Sequence, residues 1–313
     1  MKIINISKKK FQELKKIELS REVFNTEGTI YDLEYRGKKK ILKTLYTLNG
    51  YTFANKLYTI EMLDSNKEYL PSSFYIPDYL CAVDGKVIGF TIPKIEGVNL
   101  STILSDSSIN YKEQIYYLKK IGEILNQLHN IRKYTPLNSF YINDLHESNF
   151  IVDNNNRELK VIDLDSCKIC SNEPFAARFL TEKSMVSEVE KYKVNNDPHS
   201  NGYISPNSDS DLYCYSMIIL NYLYGGKISS ISIENFYEYL NYLKTIGVNR
   251  ELIDIFSKLL VGNCRNENPI NYLDSLTGEQ ICRSKKLVYE KTKDRIRKQF
   301  KYYFFYYSNI INW

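Results

Sequence analysis

No stretch of this sequence reaches the roughly 18 apolar residues that a membrane-crossing helix needs. The opening MKIINISKKK also lacks the hydrophobic centre of a secretory leader. A cytoplasmic protein is the expectation. Zinc-type patterns are missing as well. Among Cys81, Cys167, Cys170, Cys214, Cys264 and Cys282 the one C-x-x-C is Cys167 with Cys170, and no second Cys or His pair stands at ligand spacing from it. Idle or buried thiols are expected, with an oxidation-sensitive Cys167 as the lesser alternative. Charge of one sign is not in excess: 42 Lys and Arg face 37 Asp and Glu, which gives no case for a nucleic-acid partner.

What is present suffices for a core. The chain has 313 residues, 43% of them hydrophobic, enough for one large domain or two lobes. Its 28 tyrosines, with abundant Lys, Asn and Ile, read as compositional bias rather than chemistry. The most informative stretch runs from Tyr141 to Ser166. Two apolar runs there, Phe150 to Val152 and Leu159 to Ile162, flank the polar turn Asp153 to Arg157 and predict a β-hairpin. Asp144 and Asn149 fall in the loop entering it, and Asp163 falls where it leaves. Singly, such residues punctuate turns. Together they form an oxygen-only set that suits Mg²⁺, a hard ion that keeps waters and takes few carboxylates.

As a set these residues resemble the protein-kinase-like superfamily, whose catalytic loop reads H-R-D-x-x-x-x-N and whose metal motif reads D-F-G. Here the first is Ile142-Asn143-Asp144-Leu145-His146-Glu147-Ser148-Asn149 and the second Asp163-Leu164-Asp165. The resemblance spans residues 20–280 and implies an α+β, bilobal protein-kinase-like fold. Residues 1–95 would form an N-lobe, a small antiparallel β-sheet with one helix. Residues 96–285 would form a larger, mainly helical C-lobe, followed by a basic and aromatic tail at 286–313. It further implies Asp144 as the base facing the attacking hydroxyl, and Asn149 and Asp163 as Mg²⁺ ligands. His146 would stand near the γ-phosphate. Lys43, after the apolar Ile41-Leu42 on the third strand, would reach the ATP phosphates and pair with Glu61 on a helix from Thr52 to Asp64. Gly28, Ile92, Lys94 and Ile95 would line the nucleotide cleft.

Apolar periodicity fills in the rest. A short helix is expected over Ser7–Lys16, and strands within Val23–Tyr35, at Ile41–Lys43, and within Asp78–Ile95 around Asp84-Gly85-Lys86. Ile115, Leu118, Ile121, Leu125 and Leu128 predict a long helix from Tyr111 to Asn130, with His129 at its end given no catalytic role. One or two inserted helices are expected in Pro174–Val194. Further helices are expected at Asp211–Tyr224, Ile233–Thr245, Glu251–Leu260 and Ile270–Leu276.

Several departures from the family pattern bear on function. Thr26 and Tyr31 replace the outer glycines of the Gly-rich hairpin. Asn207 and Asn268 stand where an ion pair is usual, both ends having become amides. Asn143 replaces the Arg that binds an activation-loop phosphate, which implies activity without loop phosphorylation. Asp165, in place of the D-F-G glycine, adds a third carboxylate. The expectation is an ATP- and Mg²⁺-dependent protein kinase acting on Ser or Thr, less readily Tyr. His146 within D-L-H-x-x-N resembles aminoglycoside- and choline-type phosphotransferases and supports a small-molecule acceptor as the alternative, with a nucleotide-binding pseudokinase as the third. Expected partners are protein substrates, with no nucleic acid. The basic run Arg283–Lys301 is read as a docked terminal helix rather than a contact for a membrane surface or acidic partner.

Overall fold

The computed structural model describes residues 1–17, 28–45, 51–172, 208–228, 233–259 and 267–288. The Asn25–Glu27 turn, the inserted helices of 174–194, Asn207, Cys264 and most of the basic run with its aromatic tail lie outside these residues.

The first part of the chain gives β1 (Lys2–Ile6), α1 (Lys8–Gln12), β2 (Gly28–Tyr35), β3 (Lys38–Leu45), α2 (Tyr51–Ser65), β4 (Tyr79–Val83) and β5 (Lys86–Pro93). They form one sheet in the order β1-β4-β5-β3-β2. Two-residue turns close both hairpins: Arg36-Gly37 and Asp84-Gly85 all have positive φ, the geometry that matches strand twist. The expectation of an antiparallel sheet is corrected, because β1 runs parallel to β4. Residues 2–6 alternate, turning Ile4 and Ile6 inward, a run too short to stand out in the sequence. The first helix is also shorter than expected. After Gln12 the chain straightens along β2, where Ile17 N–H donates to Ile30 O (2.8 Å) and Asp32 N–H to Lys15 O (2.9 Å).

Alternation divides the sheet into two faces. Leu33, Leu42 and Cys81 pack with Ile4, Ile6 and Phe11 on one. Leu45, Leu80 and Phe90 pack with Phe53, Leu57 and Ile60 of α2 on the other. Lys43, opposite Phe90 in the β3–β5 ladder, belongs to the α2 face.

The second part contains β6 (Gly97–Asn99), α3 (Leu100–Ser105), α4 (Tyr111–Tyr134), the hairpin β7 (Phe150–Asp153) and β8 (Leu159–Val161), then α5 (Ser208–Tyr224), α6 (Ile233–Thr245) and α7 (Arg250–Leu259). Residues 278–288 are also helical. The predicted stripe of α4 is buried, and α5 is buried almost all round. Pro269–Ser275 is a 3-10 helix rather than an α-helix. Asn268 caps it, accepting from Ile270 N–H, while its amide donates to Asn126 Oδ1 of α4 (2.9 Å). Backbone pairing joins the two parts: Tyr75 N–H donates to Val161 O (2.9 Å) and Val161 N–H to Ser73 O (2.8 Å). Among the described residues no helix is long and apolar enough to cross a membrane.

One glycine fixes where β3 lies. β5 bulges at Ile88, since Cys81 faces Gly89 while Ala82 faces Val87. A Cβ on Gly89 would stand 2.0 Å from the Lys43 carbonyl oxygen, so only a bare backbone admits β3 at this distance. Gly89→Ala should push β3 outward and cost roughly 1–3 kcal/mol. Denaturant unfolding followed by circular dichroism measures it, and an unchanged midpoint would contradict the account.

Candidate active site

The loop ahead of the hairpin is fixed by a carboxylate from α5. Ile142 and Asn143 donate their N–H groups to Asp211 (3.0 and 2.9 Å), which is buried at 2% exposure. Burial pushes the Asp211 carboxyl up to about 6, against the opposing pull of the two N–H groups and Arg132. Arg132, in the last turn of α4, donates to Phe140 O (2.9 Å) and lies over the Tyr141 ring. Asn143 takes a left-handed conformation (φ 65°), which Asn tolerates better than most residues. Its side chain donates to Ser166 O (2.8 Å). The loop carrying Asp144 is thus held from α5 on one side and from the far strand exit on the other.

Asp144 keeps one carboxylate oxygen, Oδ1, buried without a hydrogen-bond partner. Its Oδ2 is 3.7 Å from His146 Nε2. Burial works against its charge, but His146 and Lys43 outweigh that and hold the carboxyl below its ordinary value. Asn149 closes the single turn Glu147–Asn149: its N–H donates to His146 O (3.0 Å) and its side-chain amide to Asp144 O (2.8 Å). Ile162 N–H donates to Asn149 O (2.9 Å), so Asn149 and Asp163 meet at the mouth of the hairpin, as the sequence predicts. Asp163, like Asn143, is left-handed (φ 61°).

The ammonium of Lys43 crosses from the sheet to this mouth. It donates to Asp163 and to Asp165 Oδ1 (2.9 Å). Asp165 Oδ2 accepts from Lys56 of α2 (2.8 Å), which also donates to Ser166 Oγ (3.1 Å). Burial opposes charge on Asp165, yet Lys43 and Lys56 hold its carboxyl well below the usual range. Asp163 keeps 37% of its side chain exposed. Desolvation and the neighbouring Asp165 nonetheless outweigh Lys43 and push it up to about 6. The Lys43 ammonium loses solvent but gains two carboxylates, and its pKa rises.

The expected Lys43–Glu61 pair does not form. Glu61 is exposed. The inward stripe of α2 is Lys56, Ile60 and Leu63, at i, i+4 and i+7, and a residue five past Lys56 points about 140° away. The other cleft residues divide. Ile92 shares the Lys43 face, packed beside Phe90. Gly28 opens β2 under tight contact, where a Cβ would meet Thr44 O at 1.6 Å. Lys94 is drawn to Asp32 of β2, and Ile95 is half-buried beyond the end of β5.

His129 is exposed near the end of α4. Cys167 is fully buried, and burial followed by the charges of Asp165 and Asp211 pushes its thiol well up, which weighs against the redox role.

No three His, Cys, Asp or Glu side chains among the described residues form a metal cage. The oxygen set at the mouth fits Mg²⁺ in another way. Its donors are partly exposed Asp163, the buried Asn149 amide and the orphaned Asp144 oxygen, and a hard ion with so few protein oxygens completes its shell with waters and phosphate. No protein-family model matches the chain, and no curated protein does either.

Removing the loop clamp should be costly. Asp211→Ala strands two buried N–H groups and should destabilise by roughly 2–4 kcal/mol, read by chemical denaturation. Glu61→Gln, by contrast, should stay within about 0.5 kcal/mol of the parent, and a larger loss would restore the helix carboxylate to the site.

Proposed function

We propose that this chain is an ATP-dependent phosphotransferase with a bilobal protein-kinase-like fold, acting on a hydroxyl, with protein Ser or Thr as the acceptor. The observation that carries this reading is the Lys43 ammonium, projected from the third strand onto Asp163 at a hairpin mouth that also holds Asp144 and Asn149. A lysine on a sheet, two carboxylates and an amide form the group set that phosphoryl transfer uses.

On this reading residues 1–95 cover the nucleotide and residues 96–285 carry the loop and the acceptor surface. Asp163 and Asn149 would hold Mg²⁺, which when bound supplies neutralisation of phosphate charge. Lys43 anchors phosphate oxygens, pre-oriented by its carboxylate partners. Asp144, held below its ordinary value, accepts a hydrogen bond from the attacking hydroxyl and aligns it, taking the proton late. His146, 3.7 Å from Asp144, adds a polar group beside the same oxygen. Catalysis is then chiefly positioning and charge neutralisation.

A second reading takes the same Lys43–Asp163 contact as permanent, never yielded to a metal ion. A lysine that occupies the metal carboxylate suits nucleotide binding without transfer.

Labelled ATP with Mg²⁺ separates the readings, comparing the full chain with Asp144→Asn, alone and with a cell lysate. Label on protein that falls at least about 100-fold in the variant is expected. ATP consumed only when small hydroxyl compounds are added would move the acceptor from protein to small molecule. No transfer, with nucleotide still raising the melting temperature, would establish the non-catalytic reading.

A further inference from the structure

We propose that Lys56 is a positioning residue whose ion pair with Asp165 docks α2 on the hairpin mouth and so sets where Lys43 points; this rests on the phosphotransferase reading. The arrangement inverts the charges expected of the site. A carboxylate on the helix was to hold the strand lysine. Instead the helix brings a second cation, and the carboxylate comes from the loop after β8.

The geometry at Asp165 leaves little freedom. Its side chain is 0% exposed, and each oxygen takes one lysine, Oδ1 from β3 and Oδ2 from α2. Withdrawing Lys56 would leave Oδ2 without its cation inside the protein, and a buried carboxylate with one partner pulls harder on the other. Lys43 would then be drawn further onto Asp165.

Around this pair α2 is joined to the segment that follows. Asn172 donates to Thr59 Oγ1 (2.7 Å), and Tyr58 OH meets Ser171 Oγ (3.0 Å). That segment is in turn pinned to the catalytic loop. Lys168 and Tyr141 exchange N–H···O bonds at 2.9 Å in both directions, and Asn143 donates to Ser166 O. Helix, segment and loop therefore form one connected body, and Lys56 is the charged tie that passes through the site.

The test uses the full chain with Lys56→Met, the milder Lys56→Gln should Met not fold, Lys56→Arg, Asp165→Asn, and the Lys56→Met/Asp165→Asn double variant. Nucleotide Kd with a fluorescent ATP analogue, KM and kcat for transfer, and unfolding free energy are measured for each. Loss of Lys56 should lower kcat/KM by about tenfold or more, chiefly through KM for ATP and nucleotide Kd. Arg should restore most of it, and the double variant should be no worse than the poorer single one. A parent-like KM and kcat in Lys56→Met, even with a lowered melting temperature, would overturn the proposal by making Lys56 merely structural. If the parent chain neither binds nucleotide nor transfers phosphate, the phosphotransferase reading fails instead. The docking claim is then decided by unfolding free energies alone, where additive losses overturn it and strong coupling supports it.

Discussion

A carboxylate with no exposed surface, that of Asp165, constrains everything around it. Taking a charge out of water costs several kcal/mol, which is offset only when its oxygens meet well-placed partners. The partners here arrive from two separate elements, Lys43 from the sheet and Lys56 from α2. Breaking either contact leaves one carboxylate oxygen buried without its cation. The sheet, the helix and the hairpin mouth therefore cannot shift independently. Asp163 shares Lys43 with Asp165 but keeps 37% of its side chain exposed, so it is the carboxylate of the two that a ligand can reach.

The parts of the site that were legible in the sequence are those written in local patterns. Two apolar runs around a polar turn fixed the hairpin, and with it the convergence of Asp144, Asn149 and Asp163. Lys43 was placed by the resemblance, after Ile41-Leu42 on the third strand, and the structure puts it on the helix-facing side of β3. The failures share one physical cause, which is that tertiary charge pairing overrides local pattern. Reading α2 by its apolar residues Phe53, Leu57 and Ile60 put the site-facing direction on the wrong flank and drew attention to Glu61. A buried lysine looks like a surface residue until its carboxylate is known. The signal was nevertheless present: Asp165 was a surplus carboxylate in search of a cation, and Lys56 stands in register with Ile60 and Leu63.

Asp211 shows the same limit from another side. Its position at the head of an apolar helix was visible, but not that its two oxygens would accept the N–H groups of Ile142 and Asn143. Those bonds let the loop hold Asn143 in a left-handed conformation, while Asp163 adopts one across the mouth. A left-handed non-glycine residue costs on the order of 1–2 kcal/mol. Such conformations persist only where surrounding bonds over-determine them, and they gather at functional sites. Asn at position 143 fits this role, because its short amide reaches Ser166 O from a fully buried position.

The charges at the mouth also decide what the site can receive. Asp144, Asp163 and Asp165, three carboxylates, face the two ammonium groups of Lys43 and Lys56. A bare phosphate would be repelled by the carboxylates, and a bare divalent cation would have to compete with Lys43 for Asp163. A phosphate that arrives with a cation would satisfy both constraints: on the proposed reading Asp163 would hold the cation, and the Lys43 ammonium would be available to the phosphate oxygens. With Asp165 and Lys56 still paired, Lys43 would exchange Asp163 for phosphate while keeping Asp165. On the proposed reading, the buried Asp165–Lys56 pair would keep Lys43 anchored on Asp165 while Asp163 turns to a metal–nucleotide complex.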